Sequence, residues 1–192
     1  METHLNAEQQ TDEELIAEAA REGSDGPAFV ALMSRHRGRV WSICYRLMGN
    51  EHDAQDAAQE VFVRLFFQRA KFEGRSKFST WLHGIAVRTC LGMRRSRGRR
   101  ARHEVLASEA RLENQAAGSP ATASASLDLE MMLSTLGEED RAMLLLKYSE
   151  EYTFEELADI FDMTTSACKM RVSRARARLE ERFGEPKNEP AQ

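Results

Sequence analysis

Lys169, Arg171, Arg174, Arg176 and Arg178 crowd the outer surfaces of one stretch whose inward positions are Cys168, Val172, Ala175, Leu179 and Phe183. Arginines and lysines on a helix of that width can bond guanine edges or phosphates in a DNA major groove. Met170 and Ser173 share the outer surface, and the amides around Thr164, Thr165 and Ser166 open the helix and can hold a phosphate. The bland alternative is an exposed arginine-rich helix paired with Glu180 and Glu181. A short capped segment just upstream tips the balance toward DNA.

A second group is aromatic and basic: Phe72, Arg75, Lys77, Phe78, Trp81, His83, Arg88, Arg94 and Arg95. Aromatic faces can stack on unpaired bases while neighbouring cations follow the backbone. Phe78 and Ile85 read better as core, and Trp81 is open to either role. A third group lies outside the apolar stripe of the helix from Asp53 to Phe67: Asp56, Gln59, Glu60, Val63 and Phe67. Apolar groups rimmed by charge suggest a protein-docking surface, the alternative being that Phe67 folds into a loop.

Nothing in the chain has the logic of a catalyst. His36, His52, His83 and His103 fall in different segments, and no glycine run makes a phosphate-cradling loop. Cys44, Cys90 and Cys168 are far apart, with no cysteine or histidine at ligand spacing, and read as reduced thiols. No catalytic chemistry, cofactor or metal is expected.

The elements that position these groups follow from periodicity. Leu32, Met33, His36, Val40, Ile43, Cys44 and Leu47 recur at helical steps, with Gly49-Asn50 as a stop. Ala54, Ala57, Ala58, Val61, Phe62, Leu65 and Phe66 form the next stripe. After the loop from Lys71 to Lys77, Ser79 or Thr80 is placed to cap a third helix carrying Trp81, Leu82, Ile85 and Thr89. Gln115 to Ser126, rich in small polar residues, cannot bury enough surface to offset its ordering entropy. Beyond it, Leu129, Met132, Leu133 and Leu136 form a stripe, Met143 to Leu146 a core-rich helix, and Thr153-Phe154-Glu155-Glu156 a capping box. The turn Asp162-Met163-Thr164 then makes a helix-turn-helix with the basic stretch.

The expectation is therefore an all-α protein of two small helical domains joined by a flexible linker. The divisions fall at an acidic extension over 1–25, a first domain over 26–96, a linker over 97–126, a second domain over 127–183 and a tail over 184–192. The formal net charge of −4 hides opposite blocks. Residues 1–25 carry −7, residues 26–100 carry +10 from fifteen basic against five acidic groups, and residues 127–192 carry −6. A basic block in an acidic chain implies a polyanion partner for that block. No apolar run approaches the roughly 20 residues a membrane span needs, and a cytoplasmic location is expected.

Three stretches in this order carry a resemblance. "AFVALMSRHRGRVWSICYRLMGNEHDAQDAAQEVFVRLF" resembles the opening of region 2 of the sigma-70 family, in its extracytoplasmic function (ECF) group. "KFEGRSKFSTWLHGIAVRT" is similar to the promoter-melting segment, and "LGEEDRAMLLLKYSEEYTFEELADIFDMTTSACKMRVSRARARLEE" resembles region 4. The resemblance implies a sigma factor that binds core RNA polymerase and directs initiation. Asp56, Gln59, Glu60 and Phe62, with Val63 and Phe67 beside them, would dock on the clamp helices of the largest subunit, and region 4 would meet the other large subunit. Phe72, Arg75, Lys77, Phe78, Trp81, Arg88, Arg94 and Arg95 would open and read the −10 element as single strand. Thr165, Ser166, Lys169, Met170, Arg171, Ser173 and Arg174 would read the −35 element as duplex. An anti-sigma factor is the implied inhibitory partner. Arg88 stands where many relatives have asparagine, and Ala167, Cys168 and Met170 replace the usual threonine, valine and serine, which implies altered promoter preference. The competing classes are a stand-alone helix-turn-helix regulator and a decoy for an anti-sigma factor.

Overall fold

A computed structural model describes residues 10–22, 26–109 and 124–183, without the side chains of 101–109 and 124–128. The fold begins earlier than charge alone suggests. Helix α1 (Asp12–Ala19) opens on a reciprocal cap: Thr11 Oγ1 accepts the Glu14 N–H at 3.2 Å, and the Glu14 carboxylate accepts the Thr11 N–H at 2.8 Å. Leu15, Ile16 and Ala19 are fully buried, so this helix is part of the first domain's core. Of the acidic extension read over 1–25, the described residues 10–22 therefore pack with the first domain. Counting charge registers Asp12, Glu13 and Glu14 but overlooks the apolar stripe that follows them.

Helix α2 (Pro27–Met48) starts with proline at its first position, where no amide is needed, and ends at Gly49. Gly49 has φ +83°, the left-handed conformation that terminates helices and that glycine adopts without steric cost. Asn50 then accepts the Asp53 N–H at 2.9 Å and opens α3 (Glu51–Gln68). A single 3₁₀ turn (Arg69–Lys71) leads to the loop before α4 (Phe78–Glu109). Leu32, Val40 and Ile43 of α2, Val61 and Leu65 of α3, and Phe78, Leu82 and Ile85 of α4 interleave in the core. Each such side chain contributes about 1.5–3 kcal/mol by leaving water.

Ser79 and Thr80 lie inside α4 and do not cap it. The cap is long-range: Glu13 of α1 accepts the Phe78 N–H at 3.1 Å. Helix α4 also runs past residue 97, where composition begins to change, because Ala101 to Glu109 are good helix formers. Residues 110–123 of the stretch read as a linker lie outside the described residues, as does the tail from 184.

The second domain comprises α5 (Ser124–Ser134), α6 (Glu138–Ser149), α7 (Phe154–Phe161) and α8 (Thr165–Phe183). Glu138, Glu139 and Asp140 fill the first turn of α6, favourable at the positive end of the helix dipole. The capping box read from Thr153 and Glu156 opens α7, and Asp162 closes it at φ +53°. Cys168, Val172 and Ala175 turn α8 inward. No strand occurs among the described residues, and the architecture is all-α with two helical domains. They touch: α4 packs on α7, and α2 meets α6. No helix among the described residues is long and apolar enough to cross a membrane.

Candidate DNA and protein interfaces

The outer face of α8 divides into free and committed groups. Ser166, Lys169, Met170, Ser173 and Arg174 are exposed, and Thr165 is half-buried. Met170 and Arg174 rim a concavity of about 540 Å³ that also includes Met163 and Ala167. Arg171 is different. Its Nε donates to Asp140 at 2.5 Å and its Nη2 lies 2.9 Å from Glu139, so α6 holds its guanidinium. Those two carboxylates also keep its proton more firmly bound, outweighing the opposing effect of burial. Asp140 is shared with Arg178 at 3.3 Å. At the start of α8, Thr164 Oγ1 accepts the Ala167 N–H at 3.2 Å, satisfying one of the amides that open the helix.

The aromatic and basic group divides in space. Phe78 is fully buried, edge-on to His36 at 5.3 Å and to Phe72 at 5.7 Å. It is core, the reading its spacing favoured. Phe72 and Trp81 are half-buried with ring centres 5.3 Å apart, so they form a platform beside the exposed Arg75 and Lys77. Arg75 pairs with Glu73 at 2.5 Å, both largely in solvent.

Arg88, Arg94 and Arg95 lie two to four turns further along α4, against the second domain. Arg88 Nη1 donates to the Ile160 carbonyl at 3.3 Å, and its guanidinium lies over Gly84, where a Cβ would come within 3.1 Å of it. Burial lowers the Arg88 pKa from its ordinary value. Arg94 donates to Glu138 at 2.5 and 3.2 Å and to the Leu47 carbonyl at 3.1 Å; Arg95 reaches Glu139 at 3.2 Å. His83 is buried between the domains, with Nδ1 2.7 Å from Tyr152 Oη and no partner on Nε2. Burial, then the charge of Arg39 and the proximity of His36, depress its pKa to about 4.

The third site is the outer wall of α3. Phe67 stays helical and is 74% exposed, Val63 is 49% exposed, and Asp56 and Gln59 face solvent. Glu60 accepts from Arg64 at 2.7 Å. Phe62, half-buried, Val63, Phe66 and Phe67 line one side of an apolar groove of about 1130 Å³. The other side belongs to α2 and includes Met33, part of the α2 stripe, and Trp41, which single-helix periodicity does not register. Trp41 stacks on Tyr45, with centroids 5.1 Å apart and planes at 15°, and both are 41% exposed. Exposed aromatics in a helical stripe were the available signal. Near the start of α3, His52, Asp53 and Asp56 bring ligand atoms within 4.8 Å of one another. Asp53 is already bonded to Asn50 and paired with Arg97, so this is a solvated helix end rather than a metal centre.

All three cysteines are buried and unbonded, and hydrogen bonding to Cys90, then burial, push the Cys44 thiol pKa far up, against thiolate formation.

These features make a four-helix first domain with an apolar groove and an aromatic loop, followed by a helix-turn-helix domain. The family models agree, with sigma-70 region 2 matching residues 32–100 and sigma-70 region 4 matching residues 126–179. The chain is 30% identical over 167 residues to the ECF RNA polymerase sigma factor SigW of Bacillus subtilis, covering 81% of this chain and 88% of that one. It is 31% identical over 189 residues to the ECF RNA polymerase sigma-E factor of Haemophilus influenzae, covering 92% and 97%. Among solved structures, CnrH in complex with the cytosolic domain of CnrY shares the fold at a TM-score of 0.61, 23% identity and 91% and 97% coverage. RpoE of Bartonella quintana in complex with the anti-sigma factor NepR does so at 0.57, 24%, and 81% and 96%. The chain belongs to the ECF sigma factors of the sigma-70 family, non-catalytic initiation subunits of RNA polymerase.

Proposed function

We propose that this sigma factor binds core RNA polymerase through the outer face of α3 and directs it to promoters whose −10 and −35 elements its two domains read separately. The groove beside α3 carries the docking assignment. An apolar trough with Phe67 and Val63 on its lip, Gln59 in its lining and Asp56 and Glu60 outside it suits a helical partner with apolar and basic groups. The clamp helices of the largest subunit are that partner, and region 4 meets the other large subunit. Phe72 and Trp81 supply the stacking surface for unpaired −10 bases, Arg75 and Lys77 follow their phosphates, and Arg88, Arg94 and Arg95 continue that basic track. Phe78 supports the platform from the core. Lys169, Met170, Ser173 and Arg174 read the −35 duplex, Thr165 and Ser166 approach its backbone, and Arg171 is orienting as well as contacting.

The working units are region 2 from Asp12 to about residue 96, the connecting stretch, and region 4 over 127–183. RpoE, which shares the fold, is bound to the anti-sigma factor NepR, and an anti-sigma factor is the corresponding inhibitor here. The experiment is co-elution of the purified protein with core RNA polymerase on gel filtration, alongside an Asp56→Arg/Glu60→Arg variant. Stoichiometric binding by the parent and loss in the folded variant is the expected outcome. Failure of the parent to bind points to a stand-alone regulator or a decoy instead.

A further inference from the structure

Helix α1 meets the loop from Phe72 to Lys77 at both of that loop's borders. On the upstream side, Arg69 of the 3₁₀ turn donates through Nε to the Ala19 carbonyl at 2.7 Å and through Nη2 to the Glu22 carbonyl at 3.3 Å. These carbonyls lie at and just past the C-terminal end of α1, where the helix dipole favours a cation. The same guanidinium donates to the Phe66 carbonyl and lies over the Phe66 ring, 3.9 Å from its centre, so it ties the end of α3 to α1. On the downstream side, the Glu13 carboxylate accepts the Phe78 N–H at 3.1 Å, occupying one of the orphan amides that open α4. Asp12 adds a third point. It accepts from Arg35 at 2.9 Å and holds His36 at 2.7 Å, and the His36 ring stands edge-on to Phe78.

Between these anchors the loop residues are exposed or half-buried, and Gly74 turns the chain at φ +69°. Arg75 pairs with Glu73 and Ser76 bonds to the Lys77 carbonyl, both inside the loop. Phe72 leans on Phe78 and Trp81, at 5.7 and 5.3 Å. Local contacts of this kind leave a short loop much of its conformational freedom. Fixing both ends removes part of that freedom before a ligand arrives, which lowers the ordering cost of binding. A helix serving only as core needs Leu15, Ile16 and Ala19 to be buried, as they are. It does not need its polar groups to reach both borders of one loop.

We propose that α1 is a brace for the loop that reads single strand, with Glu13 and Arg69 as positioning residues that hold Phe72 and Trp81 in place for unpaired bases. Neither residue touches the DNA; both act through the ends of the loop. This rests on the reading of Phe72, Arg75, Lys77 and Trp81 as −10 contacts.

The test uses the full chain in a Trp41→Phe background, which leaves Trp81 as the one tryptophan. Glu13→Ala removes the acceptor for the Phe78 N–H. Glu13→Gln loses the same charge but keeps a carbonyl oxygen there. Asn50→Ala removes the side-chain cap of α3 at the end far from the loop, as a control for general destabilisation. Acrylamide quenching reads the exposure of Trp81, and fluorescence anisotropy reads binding of a mixed-sequence single-stranded DNA 20-mer at fixed salt. Glu13→Ala is expected to quench more steeply than the parent, while Glu13→Gln and Asn50→Ala match it. Glu13→Ala is also expected to bind the 20-mer roughly three- to tenfold more weakly than Glu13→Gln, the range that the net contribution of one hydrogen bond spans. If Glu13→Ala fails to fold, Arg69→Gln releases the other anchor and should steepen the quenching in the same way. Parent-like quenching in the folded anchor variant, or equal steepening in Asn50→Ala, overturns the brace. Steeper quenching in Glu13→Ala with no loss of affinity relative to Glu13→Gln overturns its part in reading the strand. A parent that does not bind the 20-mer removes the −10 reading itself, and the quenching comparison then still decides whether α1 braces the loop.

Discussion

Arg171 and Arg174 are three residues apart on one helix, yet their surroundings give them different work. Arg171 is fixed by Asp140 and Glu139, whereas Arg174 points freely from the rim of the α8 concavity. A side chain already satisfied by carboxylates gains less from a base than an unengaged one. Arg174→Ala is therefore expected to weaken binding of a duplex bearing the −35 element by roughly 1–3 kcal/mol, if it contacts a base edge. Anisotropy at fixed salt checks this, and an unchanged affinity removes Arg174 from the reading set. At the same scale Phe78 shows why residue type alone is ambiguous. It belongs to an aromatic and basic group by composition, but His36, Phe72 and Trp81 enclose it completely.

Among the elements, α1 changes most between the linear and the folded chain. Asp12 accepts from Arg35 at 2.9 Å and lies 2.7 Å from His36 Nε2, and Glu13 caps α4 just ahead of the Phe72–Trp81 platform. The acidic segment does face the basic domain, through specific pairs and a shared core. Leu15→Ala leaves a cavity at a fully buried position and is expected to cost about 2–5 kcal/mol. Denaturant unfolding measures it; a dispensable extension would show almost no change. The 3.6-residue stripes of α2, α3 and α8 were legible because each runs for four or more turns. Helix α1 offers two turns, too short for periodicity to stand out from charge.

For the whole molecule, His83 and Tyr152 join the domains through a buried contact that responds to pH. The imidazole takes a proton near 6.5 when unfolded but only at about 4 when folded. The unfolded state thus binds more protons between those values. Stability is fully present above pH 6.5 and is lost as pH falls toward 4. Between pH 7 and pH 5 the loss from this residue is expected to be about 2 kcal/mol. His83→Gln should flatten that slope in denaturant titrations at the two pH values. A slope identical to the parent's would assign the acid sensitivity to other groups.

The sequence by itself determined the all-α class, the helix-turn-helix with its Thr153 cap, the outward arginines of α8 and the acidic-apolar face of α3. Each is local, set by helical periodicity, capping chemistry or turn residues within about twenty positions. Tertiary structure decided the rest. The α2 wall of the α3 groove, the Glu13 cap on α4, the commitment of Arg171, the Ile160 carbonyl on Arg88 and the region 4 acids against Arg94 and Arg95 all join residues distant in sequence. A charged side chain reads the same along the chain whether it will meet solvent, DNA or a carboxylate. Only packing, by bringing a particular partner within hydrogen-bond reach, distinguishes those fates.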